Sequence, residues 1–132
     1  MGFQETAHTA DCALRVWAPD LESLFIEAAL GMNEISGAEI RGGTRVLRQA
    51  FLHADDKEGL LVAFLGELLY LQENERLVCD GFGLELLPND LHAVLEAGRL
   101  KSQDKPLKAV TFHNLSILRT ARGYETELVF DV

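Results

Sequence analysis

Apolar residues recur at helical spacing twice along this chain and at strand spacing through most of the rest. Cys12, Leu14 and Val16 alternate with Ala13, Arg15 and Trp17, the period-2 signature of a half-buried strand, and residues 3–6 read as a short strand before it. Pro19-Asp20 then opens a helix with Asp20 as its N-cap. Leu21, Leu24, Phe25, Ala28, Met32 and Ile35 follow on one face, and Gly37 supplies the stop. Residues 45–53 read as a strand. Asp55 and Glu58 stand three apart before an apolar run, a capping box with Asp in the Ser/Thr position. The helix after it carries Leu61, Phe64, Leu65, Leu68 and Leu71 on one stripe and ends near Asn74. Residues 77–87, 91–97, 109–118 and 124–132 are extended, with turns at Pro88-Asn89-Asp90 and Arg122-Gly123. Two helices and about seven strands, joined largely by hairpins, do not make a regular βαβα alternation. The pattern predicts an α+β fold: a compact single domain over residues 1–132, with a mixed or antiparallel sheet of about seven strands and both helices packed on one face.

A chain of 132 residues is long enough to bury a core without disulfides or metals to staple it. No apolar run reaches the length of a bilayer span, and residues 1–6 carry no basic stretch followed by an apolar one. The expectation is a soluble, cytoplasmic protein without membrane contact. Cys12 and Cys79 are isolated, so they read as reduced core thiols on strands rather than as zinc ligands. Twelve Lys and Arg against 21 Asp and Glu leave a net charge of −9. Phosphate backbones repel such a surface, so no direct nucleic-acid binding is expected, and a partner with a basic face suits it better.

The chemistry concentrates at the two ends. In the final strand Thr126, Leu128 and Phe130 share one face, while Glu125, Glu127 and Asp131 share the other, so Asp131 points to the polar side. Asp131 precedes Val132 and its α-carboxylate. Two carboxylates 4 Å apart repel by about 4 kcal/mol at an effective dielectric near 20. Asp11, in the segment His8-Thr9-Ala10-Asp11, would add a third anion if brought there. Such a cluster stays in water, takes up protons or holds a cation. All-oxygen donors suit Ca²⁺, Mg²⁺ or Mn²⁺ rather than Zn²⁺, with waters completing the shell. The simpler reading is a solvated strand end and a loop aspartate that never meet.

Other residues carry paired readings too. His8 either orients Asp11 or takes part in proton transfer near neutral pH, or else merely fixes a turn. Lys108 either offsets the anions or reaches a phosphate, or else is an ordinary solvated lysine. Glu67 either touches a partner from the polar flank of its helix or is simply hydrated. Trp17 shares a strand side with Asp11 and would border the site or else only pack, and His113 reads as semi-buried. Gly42-Gly43 lacks the spacing of a phosphate-binding loop, and no nucleophile stands beside a base.

Taken together, four segments resemble the archease family: His8-Thr9-Ala10-Asp11 near the start, Phe64-Leu65-Gly66-Glu67-Leu68-Leu69-Tyr70-Leu71 on the second helix, Lys108-Ala109-Val110-Thr111-Phe112-His113 before the last strand, and Asp131-Val132. The resemblance spans the chain and implies a compact α+β fold. It also implies a non-catalytic accessory protein of an RtcB-type RNA ligase, promoting guanylylation and multiple turnover in tRNA splicing or RNA repair. The ligand set it implies for a divalent metal, calcium by preference, is Asp11, Asp131 and Val132. His8, Lys108 and Glu67 fall in the implied partner or supporting positions. Ala7 stands where the family has an acidic residue, Gly66 where Asn is usual and Phe112 where Tyr is common. Two other functions remain open: a metal-dependent phosphoester hydrolase, with His8 as the one base to serve it, and a chaperone-like or small-ligand interaction module without a ligase partner.

Overall fold

The computed structural model describes residues 1–6, 12–112 and 114–132. Strands β1 (Gly2–Thr6) and β2 (Cys12–Ala18) lead into helix α1 (Leu21–Ser36). Strand β3 (Glu39–His53) precedes helix α2 (Lys57–Asn74), and β4 (Leu77–Leu86) and β5 (Asp90–Ser102) follow. The chain closes with β6 (Ala109–Val110), β7 (Leu118–Thr120) and β8 (Gly123–Asp131). The expected single sheet is in fact two, all antiparallel: five strands in the order β1-β2-β8-β6 with β7 also on β8, and three in the order β3-β5-β4. Alternation tells which residues are half-buried but not which edges meet. Here the last strand returns to the first ones, Cys12 facing Phe130 and Ala18 facing Tyr124. The middle of the chain is left to build its own meander.

The helices correspondingly do not sit on one face of one sheet. Each touches both sheets, α1 through β2 and β4, α2 through β4, β3 and β6. Leu24, Phe25, Ala28 and Met32 of α1 meet Leu61, Phe64, Leu65 and Leu68 of α2 in one core with Leu14, Val16, Leu95, Leu128 and Phe130. Each fully buried Leu or Phe contributes roughly 1.5–3 kcal/mol of transfer free energy.

Capping follows the sequence at α1. The Asp20 carboxylate accepts from the Ser23 amide at 2.8 Å, and Gly37 ends the helix in the left-handed region at φ 67°. At α2 the cap is Asp56, one residue later than expected, accepting from the Gly59 amide at 2.7 Å. Glu58 does not close the capping box. Its carboxylate instead accepts from the Ile117 amide at 2.9 Å, tying the start of α2 to the segment before β7. The stretch 109–118 is not one strand: Asn114 takes φ 58°, a conformation Asn tolerates, and splits it into β6 and β7. The strand expected over 91–97 is longer, β5 running from Asp90 to Ser102. Trp17 faces Gly2 and Glu125 with the Arg122 guanidinium 4.5 Å over its ring, at the far end of β2 from Cys12, so it packs and does not border the terminal carboxylates.

Candidate functional site

Strand β8 is held on both sides where it ends. Phe130 pairs with Cys12 of β2 and with Val110 of β6, and Asp131 pairs with Ala109. The Lys108 amide donates to the Asp131 carbonyl at 2.8 Å. Because Thr126, Leu128 and Phe130 face the core, strand parity turns the Asp131 side chain out to solvent. Val132 beyond it is 46% exposed. Asp11, His8 and His113 lie outside the described residues. What is described is that Cys12, which follows Asp11 in sequence, stands opposite Phe130, which precedes Asp131.

The loop that delivers Lys108 is anchored from below. The Asp104 and Lys105 amides both donate to the Ser36 carbonyl, at 2.9 and 3.0 Å, satisfying a carbonyl that the end of α1 leaves open. Leu107 then buries its side chain and leaves Lys108 exposed. Lys105 is a cation that sequence reasoning missed. Its ammonium pKa is raised, first by a hydrogen bond with the Cys12 thiol and then by charge, with Glu5 at 3.7 Å contributing. Positive charge therefore stands beside the strand residue that follows Asp11.

Glu67 is set apart from this edge. The side of α2 that faces Lys108 carries Val62, Gly66, Leu69, Tyr70 and Glu73. Glu67 lies on the other flank, where its charge and that of Asp80 add to burial in pushing the Cys79 thiol up to about 12. The unfolded chain ionises this thiol near 9, so the stability it contributes is complete below that pH and is lost as pH climbs from there towards 12.

A cavity of about 500 Å³ opens beside Val132 and Lys108, floored by Leu69 and Leu107. Arg76 and Gln103 also line it. The one sequence signal for Arg76 is its place directly after the last turn of α2, where the backbone turns to φ 56°.

The sequence matches the family described as "Archease protein family (MTH1598/TM1083)" over residues 3–132. The protein archease of Methanosarcina barkeri is 35% identical, covering 98% of this chain and 95% of that protein. That of Saccharolobus islandicus is 31% identical and covers 98% of both. The solution structure of Methanobacterium thermoautotrophicum protein 1598 superposes with a TM-score of 0.73 at 24% identity over 99% of each chain. The crystal structure of an archease from Thermotoga maritima, described as a possible chaperone, gives 0.70 at 19% identity over 98% of this chain and 96% of that one. At these identities the two structures show a shared fold.

Proposed function

The chain belongs to the archease family, and from that premise we propose that it is a non-catalytic accessory protein of an RtcB-type RNA ligase. In this reading it promotes the ligase's guanylylation and multiple turnover, in tRNA splicing or RNA repair, within the cytoplasm. Among the described residues no helix is long and apolar enough to cross a membrane.

The observation that carries the reading is the pairing of Cys12 with Phe130 across β2 and β8. It sets the sequence neighbours of Asp11 and Asp131 opposite each other, at an edge where Asp131 and Val132 are exposed and Lys108 is hydrogen-bonded in place. The donors fit a hard cation in kind: the Asp131 carboxylate and the Val132 carboxylate both offer oxygen to solvent. Among the described residues no group of three or more His, Cys, Asp or Glu could hold a metal, so the set proposed here needs Asp11 as well. A bound divalent ion, calcium or alternatively magnesium or manganese, would supply positive charge to a phosphate brought to this edge. The chain's own part is to hold that edge rigid through β8, which the Lys108 amide ties down at the Asp131 carbonyl. The acidic surface, at −9, complements a basic face on the ligase.

The test is ligase turnover under excess RNA substrate, with and without this protein, using an RtcB-type ligase from the same host. The expected result is conversion from roughly one turnover per enzyme to many. A competent ligase whose turnover does not change on adding the folded protein would refute the assignment.

A further inference from the structure

Two cavities adjoin along the outer side of α2. The larger, of about 500 Å³, and the smaller, of about 300 Å³, share Leu69, Glu73 and Lys108. Both volumes lie within the range of small-ligand sites. Three features of this groove bear on what it could hold.

The first is a pair of amides. Gln72 is only 6% exposed, and its Nε2 donates to Gln103 Oε1 at 2.6 Å. That leaves the Gln72 carbonyl oxygen and the Gln103 NH₂ without a protein partner among the described residues; both residues line the cavity, and neither group is a buried unsatisfied atom. Turning both amides over leaves the same complement, one acceptor beside one donor. Leu69, Pro106, Leu107 and Val132 supply apolar walls around them. A flat ligand with a mixed donor and acceptor edge answers this arrangement, and a nucleobase is such a ligand.

The second is Arg76. A left-handed backbone is unfavourable for arginine, yet Arg76 holds φ 56°. The turn uses only its backbone, the carbonyl accepting from the Leu100 amide at 2.8 Å, so glycine would serve the fold better. Arg76 lines the cavity, as does Lys108. Arg15, Arg45, Arg48 and Arg122 each have a carboxylate within 4 Å. Arg76 and Lys108 have none among the described residues, nor do Arg41, Arg99, Lys101 and Arg119, and Glu73 and Val132 line the same cavity. What marks Arg76 and Lys108 is that both line one cavity, and two cations so placed suit an anionic group on the ligand.

The third is the smaller cavity. Gly66 sits mid-helix, where glycine weakens α2, and a Cβ there would meet nothing within 4 Å. Tyr70, one turn on, is 56% exposed. The result is open space beside an aromatic face.

From these three features we infer that the α2 groove is a binding site for a nucleoside phosphate. The base lies in the larger cavity against the Gln72–Gln103 amides, with the Glu73 carboxylate available to a base N–H. The phosphate lies between Arg76 and Lys108. The overall negative charge opposes a long polyanion more than a single nucleotide, because repulsion beyond a Debye length of about 8 Å is screened. The ligand is either a free mononucleotide or the terminal nucleotide of an RNA, whose neighbouring base would stack on Tyr70 over Gly66. The site belongs to this chain alone and does not depend on the ligase.

The experiment is titration of the isolated full chain, without added metal, by isothermal calorimetry with AMP, GMP, CMP and UMP, and by anisotropy with a short labelled oligoribonucleotide. Saturable binding is expected, weakened about tenfold or more by Arg76→Gly, Lys108→Ala and Gln103→Leu. Arg76→Gly is expected to keep or raise Tm while losing ligand, which a purely structural arginine would not do. Mononucleotide binding that Tyr70→Ala leaves intact identifies a free nucleotide. Binding of the oligonucleotide alone, lost in Tyr70→Ala, identifies an RNA end. No binding of either probe up to about 5 mM, or binding that none of the groove variants weakens, overturns the inference.

Discussion

Asp131→Ala is expected to abolish stimulation of an RtcB-type ligase while shifting Tm by no more than about 2 °C. The two halves of that expectation come from different parts of one residue. The structural contacts of Asp131 are made by its backbone, which pairs with Ala109 and accepts from the Lys108 amide, and alanine keeps both. Its carboxylate faces solvent at the end of β8 and contributes to function only if the proposed carboxylate edge is real. Formation of the guanylylated ligase and multiple-turnover ligation are the readouts. Glu127→Ala is the control, since Glu127 shares the outward face of β8 but pairs with Arg15 at 3.3 Å, well away from the strand end. Undiminished stimulation by folded Asp131→Ala would sink the carboxylate-edge mechanism.

Phe130→Ala, one residue away, should do the reverse kind of damage. Phe130 has no exposed surface and lies among the largest fully buried side chains. It also stands where β2, β8 and β6 run side by side, paired to Cys12 and Val110. Truncating a buried Phe costs about 3–5 kcal/mol, because the transfer term and the residual cavity add. Against a total stability of roughly 5–15 kcal/mol that is a large share, and Tm should fall by about 10–20 °C. Urea titration should show a lower midpoint at unchanged slope. A loss below about 1 kcal/mol would mean that the end of β8 frays in solution and that the edge it carries is not preorganised.

The contrast between these neighbours was legible in the sequence, because Thr126, Leu128 and Phe130 alternate with Glu127 and Asp131 and strand geometry turns alternation into inside and outside. Helix α1 was equally plain, with an aspartate to open it and a left-handed glycine to close it. Strand partners were not legible. The closure of β8 onto β2 joins residues more than a hundred positions apart, and no periodicity encodes such a contact. The cap of α2 was misread because Asp55 and Asp56 are both competent, and only the recruitment of Glu58 by the Ile117 amide decides between them. Lys108 and Asp131 were singled out and are joined by a backbone hydrogen bond, whereas Glu67 of the helix motif faces away towards Cys79. Arg76, Gln72 and Gln103 escaped notice, since each is an ordinary residue until the fold sets them around one cavity.

Cys12 and Cys79 are both buried and free, and they stand on strands of different sheets, β2 and β4. An alkylating reagent can reach either thiol only when the strand bearing it lets go of the core. Each cysteine is therefore a clock for its own sheet. Matched modification rates would mark a molecule whose two sheets open as one event through the helices they share, and unequal rates would show which sheet yields first.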